Sequence, residues 1–138
     1  MTHPSRFRLT LVTSMAAALT VAAPVAATAQ DAAGRTYTFA EVETKPSLSS
    51  VQGFQRMVSE SYPEDMRRRR LGGIAEIAFV VDASGRVEPS SVEIVDATQP
   101  SFGEAAKKAL LMAGFKPGKV SGVPVRTKVS LPIVYRIQ

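Results

Sequence analysis

Val125-Arg126-Thr127-Lys128-Val129-Ser130-Leu131-Pro132-Ile133-Val134-Tyr135-Arg136-Ile137 alternates without a break. Val125, Thr127, Val129, Leu131, Ile133, Tyr135 and Ile137 share one face. Arg126, Lys128, Ser130, Pro132, Val134 and Arg136 share the other. A period of two over this length predicts a long strand with one buried face and one basic, solvated face. Pro132 has no N–H to give to a neighbour, so the strand is expected at or near a sheet edge. An edge leaves main-chain donors and acceptors open to another chain, unless proline and charge merely shield it against aggregation.

The segments before it supply the rest of a small α+β domain. Tyr37-Thr38-Phe39-Ala40-Glu41-Val42-Glu43 is β-prone and predicts a first strand that stops before Pro46. Ser49 and Gln52 have capping-box spacing, and Val51, Phe54, Met57 and Val58 then fall on one helical face. Tyr62-Pro63-Glu64-Asp65-Met66-Arg67-Arg68-Arg69-Arg70-Leu71-Gly72 reads as a second, short helix. Pro63 suits its first position, acidic residues its start and arginines its end, with Gly72 or Gly73 as the stop. Ala75, Ile77, Phe79 and Val81 alternate with their neighbours, Asp82-Ala83-Ser84-Gly85 makes a turn, and the chain returns through Val92 and Ile94 as a β-hairpin. Ser101 and Glu104 have capping-box spacing at the start of an alanine-rich helix that Gly114 ends.

Upstream of the domain, Arg6 and Arg8 precede an apolar run that ends in Ala27-Thr28-Ala29, the small-x-small pattern of a signal-peptidase site. Residues 1–29 are expected to be a signal peptide cut between Ala29 and Gln30, with residues 30–36 as a short linker and 37–138 as the domain. The alternative is an N-terminal membrane anchor, since Leu9 to Ala29 is just long enough to span a bilayer. Export to the periplasm, or an inner-membrane anchor facing it, follows from these two readings.

Composition removes several function classes. The 17 basic residues exceed the 12 acidic ones, but Arg6 and Arg8 leave with the signal, so the mature chain carries only about +3. Its basic residues are not interleaved with aromatics, and nucleic acid is not an expected partner. There is no cysteine, and the one histidine is His3. A mature domain without His or Cys has no Ser-His-Asp or Cys-His pair and no ordinary zinc ligand set, so neither an enzyme nor a cofactor is expected. The Arg67, Arg68, Arg69, Arg70 run is either a solvated helix end that complements the dipole or a contact for an anionic surface.

From Tyr62 onward the sequence resembles the C-terminal domain of the TonB family of periplasmic energy transducers. The likeness rests on Tyr62-Pro63, on Gly73 with Ala75-Glu76-Ile77-Ala78-Phe79-Val80-Val81-Asp82, and on Gly85-Arg86-Val87. It continues through Phe102 with Glu104-Ala105-Ala106, Phe115-Lys116-Pro117, Gly122-Val123-Pro124-Val125 and Val129-Ser130-Leu131-Pro132-Ile133-Val134-Tyr135. The resemblance implies a two-layer α+β fold with helices on one face of a small antiparallel sheet. It also implies binding of the TonB box, an extended segment of an outer-membrane transporter, as an added strand. The residues it points to are Val125, Arg126, Thr127, Lys128, Val129, Ser130, Leu131, Pro132 and Ile133, with Arg126, Lys128 and Arg136 helping to set register. ExbB and ExbD are implied partners for an anchored form, and a second copy of the chain is a further candidate for the edge. The family's energised members carry a His in their membrane helix and a long Pro-rich spacer, and this sequence shows neither. A free periplasmic interaction module without energy transduction is therefore the alternative reading.

Overall fold

A computed structural model describes residues 34–137. The expected signal or anchor, the Ala29/Gln30 cut and most of the linker lie outside the described residues. The chain runs β1 (Thr36–Tyr37), β2 (Ser47–Leu48), α1 (Val51–Glu60), α2 (Glu64–Arg68), β3 (Gly73–Val81), a 3-10 turn (Pro89–Ser91) and β4 (Glu93–Ala97). It continues with α3 (Pro100–Leu111), β5 (Phe115–Lys116), β6 (Gly118–Val120) and β7 (Val123–Tyr135). This is the expected α+β class.

The sheet is organised by β3 and β7, which pair antiparallel from Gly73↔Tyr135 to Val81↔Thr127. The strand order is β1-β7-β3-β4, and β6 pairs with the start of β7. Period-two alternation then decides what is inside. Ala75, Ile77, Phe79 and Val81 of β3 face the core with Val125, Thr127, Val129, Ile133 and Tyr135 of β7. The helices α1, α2 and α3 cover that face through Phe54, Met66, Phe102, Ala106, Ala109 and Leu110. The alanines of α3 let it lie close on the strands, and Phe102 stacks on Tyr135 with ring centroids 4.9 Å apart.

Five local readings need correction. The first strand is only Thr36–Tyr37, and it runs parallel to β7. It stops because the Thr38 N–H donates to the Glu41 carboxylate at 2.7 Å and Glu41 N–H returns to Thr38 C=O, which folds the chain into a turn. The cap of α1 is Ser50, whose Oγ accepts from Gly53 N–H at 3.0 Å, while Ser49 N–H donates to Gly114 C=O. Pro63 is the N-cap of α2, not its first helical residue, and the helix ends at Arg68 with Arg69 as its C-cap; Arg70 (φ 51°), not Gly72 or Gly73, turns the chain out, with Leu71 N–H donating back to Met66 C=O. In α3 the cap position is Gln99 and Pro100 takes the first turn, which places Ser101 inside the helix with a buried Oγ lacking a partner. The closing strand is also displaced two residues toward the N-terminus, so Ile137 lies beyond it and is exposed.

Two turns give direct tests of this geometry. Asp82 Oδ1 accepts from Ser84 N–H (2.8 Å), Ser84 Oγ (2.6 Å) and Arg86 N–H (2.9 Å), which closes the hairpin around Gly85 at φ 85°. Partial burial pushes the carboxyl pKa up, but the Ser84 and Arg86 donors outweigh it and hold the group below its ordinary value. A lowered folded pKa means stability that is complete above the unfolded carboxyl value of about 4 and is lost as pH falls through the lower folded one. Urea unfolding of Asp82→Asn against wild type should therefore show a deficit at pH 7 that shrinks toward pH 2. The second turn joins β6 to β7 through Ser121 (φ 50°) and Gly122 (φ 75°), the type I′ geometry that favours Asn-Gly. Ser121→Asn is expected to stabilise the domain by about 0.5 kcal/mol, read as a higher urea midpoint with unchanged slope.

Candidate functional site

Hydrogen-bond direction along β3 shows which side of β7 is open. Ile74 N–H donates to Thr98 Oγ1 at 3.1 Å, and Ile74 C=O accepts from Thr98 N–H at 2.9 Å. Val80 N–H donates to Ser91 Oγ at 2.8 Å, and Val80 C=O accepts from Glu88 N–H at 3.0 Å. Even-numbered residues of β3 therefore turn their backbone groups toward β4. In an antiparallel ladder the direction alternates, so Gly73, Ala75, Ile77, Phe79 and Val81 bond to β7 through their partners Tyr135, Ile133, Leu131, Val129 and Thr127. The backbone groups of Arg126, Lys128, Ser130, Pro132 and Val134 point the other way.

Part of that outer side is covered. β1 pairs in parallel with Arg126 and Thr127, while β6 pairs with Val123, Pro124 and Val125 on the β3 side, beyond the end of that strand. From Lys128 to Val134 no strand among the described residues lies on the outer side of β7, opposite β3. The open length offers two N–H donors, at Ser130 and Val134, and four carbonyls, from Lys128 to Val134, with Pro132 supplying only an acceptor; the Lys128 N–H is taken by Tyr37 of β1. At about 3.4 Å per residue it accommodates a strand of six or seven residues.

The sequence-derived edge is thus divided. Val125, Arg126 and Thr127 are not an open edge, because short strands of the same domain occupy them. Arg126 is also engaged elsewhere. Its Nε and Nη2 donate to the two Glu88 carboxylate oxygens at 2.6 and 2.7 Å, and its Nη1 donates to Gly34 C=O at 3.2 Å. The Glu88 hydrogen bonds hold the guanidinium pKa above its usual value, so this side chain locks β7 to its own domain. Val129, Leu131 and Ile133 aim their side chains at the core, whereas Lys128, Ser130 and Pro132 are exposed along the open stretch. Ser130 Oγ donates to Glu76 Oε1 at 2.7 Å on the solvated face.

Beside the C-terminal half of this edge lies a groove of about 990 Å³ between α1 and β7. Phe54, Tyr62 and Tyr135 contribute to its lining. Tyr62 is fixed by its O–H donating to Leu71 C=O at 2.6 Å, and its ring meets Tyr135 edge-on at 5.6 Å. Burial raises the Tyr135 pKa, a shift the Ser61 hydroxyl partly offsets, so the phenol stays protonated at neutral pH. Tyr135 and Phe79 are core aromatics. Three apolar residues lining the groove, Val51, Val134 and Ile137, are about half exposed, so the domain leaves them uncovered.

The arginine run is split by the same geometry. Arg67 and Arg70 line the groove, joined there by Arg56 of α1 and Arg136 beyond β7. Arg68 and Arg69 are exposed outside it. Arg67 Nη2 donates to Ser59 C=O at 3.1 Å and its guanidinium lies 5.6 Å from the Tyr62 ring centroid. Sequence reasoning missed Arg56 and the apolar contribution of Val51, since nothing local says that α1 docks along the open side of β7. Among the described residues no group of three His, Asp or Glu is placed to hold a metal ion. No helix among them is long and apolar enough to cross a membrane.

The family of Gram-negative bacterial TonB protein C-terminal domains matches residues 58–137, more than half of the chain. The chain belongs to this family. Among solved structures, it is similar to the TonB C-terminal domain of Pseudomonas aeruginosa, at 19% identity over 56% of this chain and 77% of that one, with a TM-score of 0.46. It is also similar to the Helicobacter pylori TonB C-terminal domain, at 21% identity over 64% of this chain and 80% of that one, with a TM-score of 0.41. No curated protein matches the sequence. The TonB-family match begins within α1 and takes in α2, the β3–β4 hairpin, α3 and the whole of β7. The elements that carry the open edge are therefore family elements, while β1, which covers the start of that edge, lies outside the matched region.

Proposed function

We propose that this chain is a TonB-like periplasmic protein that binds the TonB box of outer-membrane transporters by adding it as a strand along residues 128–134 of β7. The observation that supports this is the row of outward main-chain groups from Lys128 C=O through Ser130 and Pro132 to Val134, left without a partner among the described residues beside an uncovered apolar groove. Strand addition takes its affinity from such groups and its register from side-chain pockets at alternate positions. With Arg126 held by Glu88, register falls to Lys128, to Arg136 and to the groove under Tyr62. The domain acts by docking and carries out no reaction on its partner.

A second reading keeps the same edge but removes energy coupling. It is favoured by Ala27-Thr28-Ala29, which would release the domain into the periplasm, free of ExbB and ExbD. N-terminal sequencing separates the two. An intact Met1 in the membrane fraction supports a transducer, and a periplasmic chain that begins at Gln30 supports a free module. The shared claim is tested by titrating a synthetic TonB-box peptide into the protein. Saturable binding is expected, and its absence at millimolar peptide would remove the proposal.

A further inference from the structure

The domain is entered at the end of the sheet opposite the groove. Gly34 C=O accepts from Arg126 Nη1, and Thr36–Tyr37 then pairs near the start of β7. Several other segments meet at this end. Ser47 and Leu48 pair with Lys116 and Phe115, Thr44 bridges Lys119, and Gly85 C=O accepts from Phe115 N–H. Charge is not balanced here. Glu41 pairs with Arg35, Glu88 pairs with Arg126, Glu43 Oε2 accepts from Ser121 N–H at 2.9 Å, and Asp82 is occupied by its own turn. Arg86, Lys108, Lys116 and Lys119 have no carboxylate partner among the described residues. Lys108 stands one turn before Leu111 and Met112, so the three share the outer side of α3 where that helix ends. Met112 is 66% exposed, and Leu111, Phe39 and Val123 are each about half exposed at the same end.

We infer that this end of the domain is a contact surface for anionic phospholipid, with Leu111 and Met112 entering the headgroup layer and Lys108, Lys116 and Lys119 meeting its phosphates. Single apolar tips set among lysines, with no concavity to receive a side chain, suit a bilayer interface, where binding grows with buried apolar area and with attraction to negative lipid. Lysine is a point charge on a flexible stem and needs no fixed geometry in its partner, which fits a fluid headgroup layer. Chain length points the same way. Four residues, Gln30 to Ala33, separate Gly34 from the apolar run that ends at Ala29. They reach at most about 18 Å, so a retained anchor would hold this end of the domain at a bilayer. The arginine run is the poorer candidate, because Glu64 and Asp65 lie one turn before Arg68 and Arg69 and offset them, while Arg67 and Arg70 line the groove. Contact at this end leaves residues 128–134 of β7 running away from the lipid, so it does not compete with strand addition and does not depend on it.

The test uses the chain from Gln30, which contains every described residue, sedimented with vesicles of phosphatidylcholine alone or mixed equally with phosphatidylglycerol. The mixed vesicles should carry the protein down, the neutral ones should not, and 1 M salt should release most of it. The variant carrying Lys108→Gln, Lys116→Gln and Lys119→Gln should bind the mixed vesicles about a hundredfold more weakly, the effect of three cations lost from an anionic surface. Met112→Ser alone should weaken binding about fivefold. The variant carrying Arg68→Gln and Arg69→Gln should bind as wild type does. All of these positions are exposed or half-buried, and an unchanged urea midpoint shows that each variant is folded. Equal binding to both kinds of vesicle, no binding to either, or a loss in the arginine variant that the lysine variant does not share would overturn the inference.

Discussion

Ser130→Pro is expected to weaken binding of a TonB-box peptide by about 2 kcal/mol, some thirtyfold, while the domain remains folded. The asymmetry comes from hydrogen-bond direction. Ser130 lies opposite Ala78, an even-numbered position of β3, so its N–H points to the open side and takes no part in the β3 ladder. Proline there deletes a donor that only a visitor would use, and it leaves one peptide carbonyl without a partner. Ser130→Ala is the control. It removes the bond to Glu76 Oε1 but keeps the N–H, so peptide affinity should not change. Proline at Val129 would be a poor test, because that N–H belongs to the pairing with Phe79. Equal affinity in wild type and Ser130→Pro, measured by isothermal titration, would place the peptide somewhere other than this edge.

Phe102→Ala should be the most destabilising of the substitutions considered, at about 4 kcal/mol. The ring is fully buried, stacks on Tyr135 and meets Tyr62 edge-on at 5.7 Å. The start of β3 is fitted to it as well: a Cβ built on Gly73 would stand 2.5 Å from the ring. Truncation leaves a cavity that a glycine cannot fill, and it removes two aromatic contacts. A domain of this size is stable by only about 5–15 kcal/mol, so the loss is a large fraction of the total. The urea midpoint should fall sharply. Because Tyr62 and Tyr135 line the groove, any folded fraction should also bind peptide less well. Phe102→Leu, which refills most of the volume, should recover more than half of the stability.

The contrast between these two positions shows what the sequence carries. The buried face of β7 was legible because Val125 through Tyr135 repeat with a period that only a half-buried strand satisfies, and Phe102 belonged to a clear helical face. Gly85 was legible because a tight turn between two alternating runs needs positive φ. The first strand was misread because its propensity is real, yet Glu41, three residues downstream of Thr38, takes the N–H that would have extended pairing. Adjacent Ser49 and Ser50 are equally good caps locally, and the choice is made by Gly114, far along the chain, which accepts from Ser49 N–H. The extent of the open edge was not legible for the same reason. It depends on where β1 lands, and no local pattern reports that. Arg126 looked free in an alternating strand until Glu88, 38 residues earlier, was found to hold it. The groove needed three elements to converge, so the run at Arg67 to Arg70 gave half of its cations and none of its apolar lining.

Amide hydrogen exchange read residue by residue by NMR, with and without a saturating TonB-box peptide, tests the docking edge most directly. Without peptide, the N–H groups of Ser130 and Val134 should exchange quickly while those of Val129, Leu131 and Ile133 are protected by β3. Peptide should slow the first two and leave the other three as they were. Slow exchange at Ser130 and Val134 before any peptide is added, or no slowing on saturation, would contradict the account.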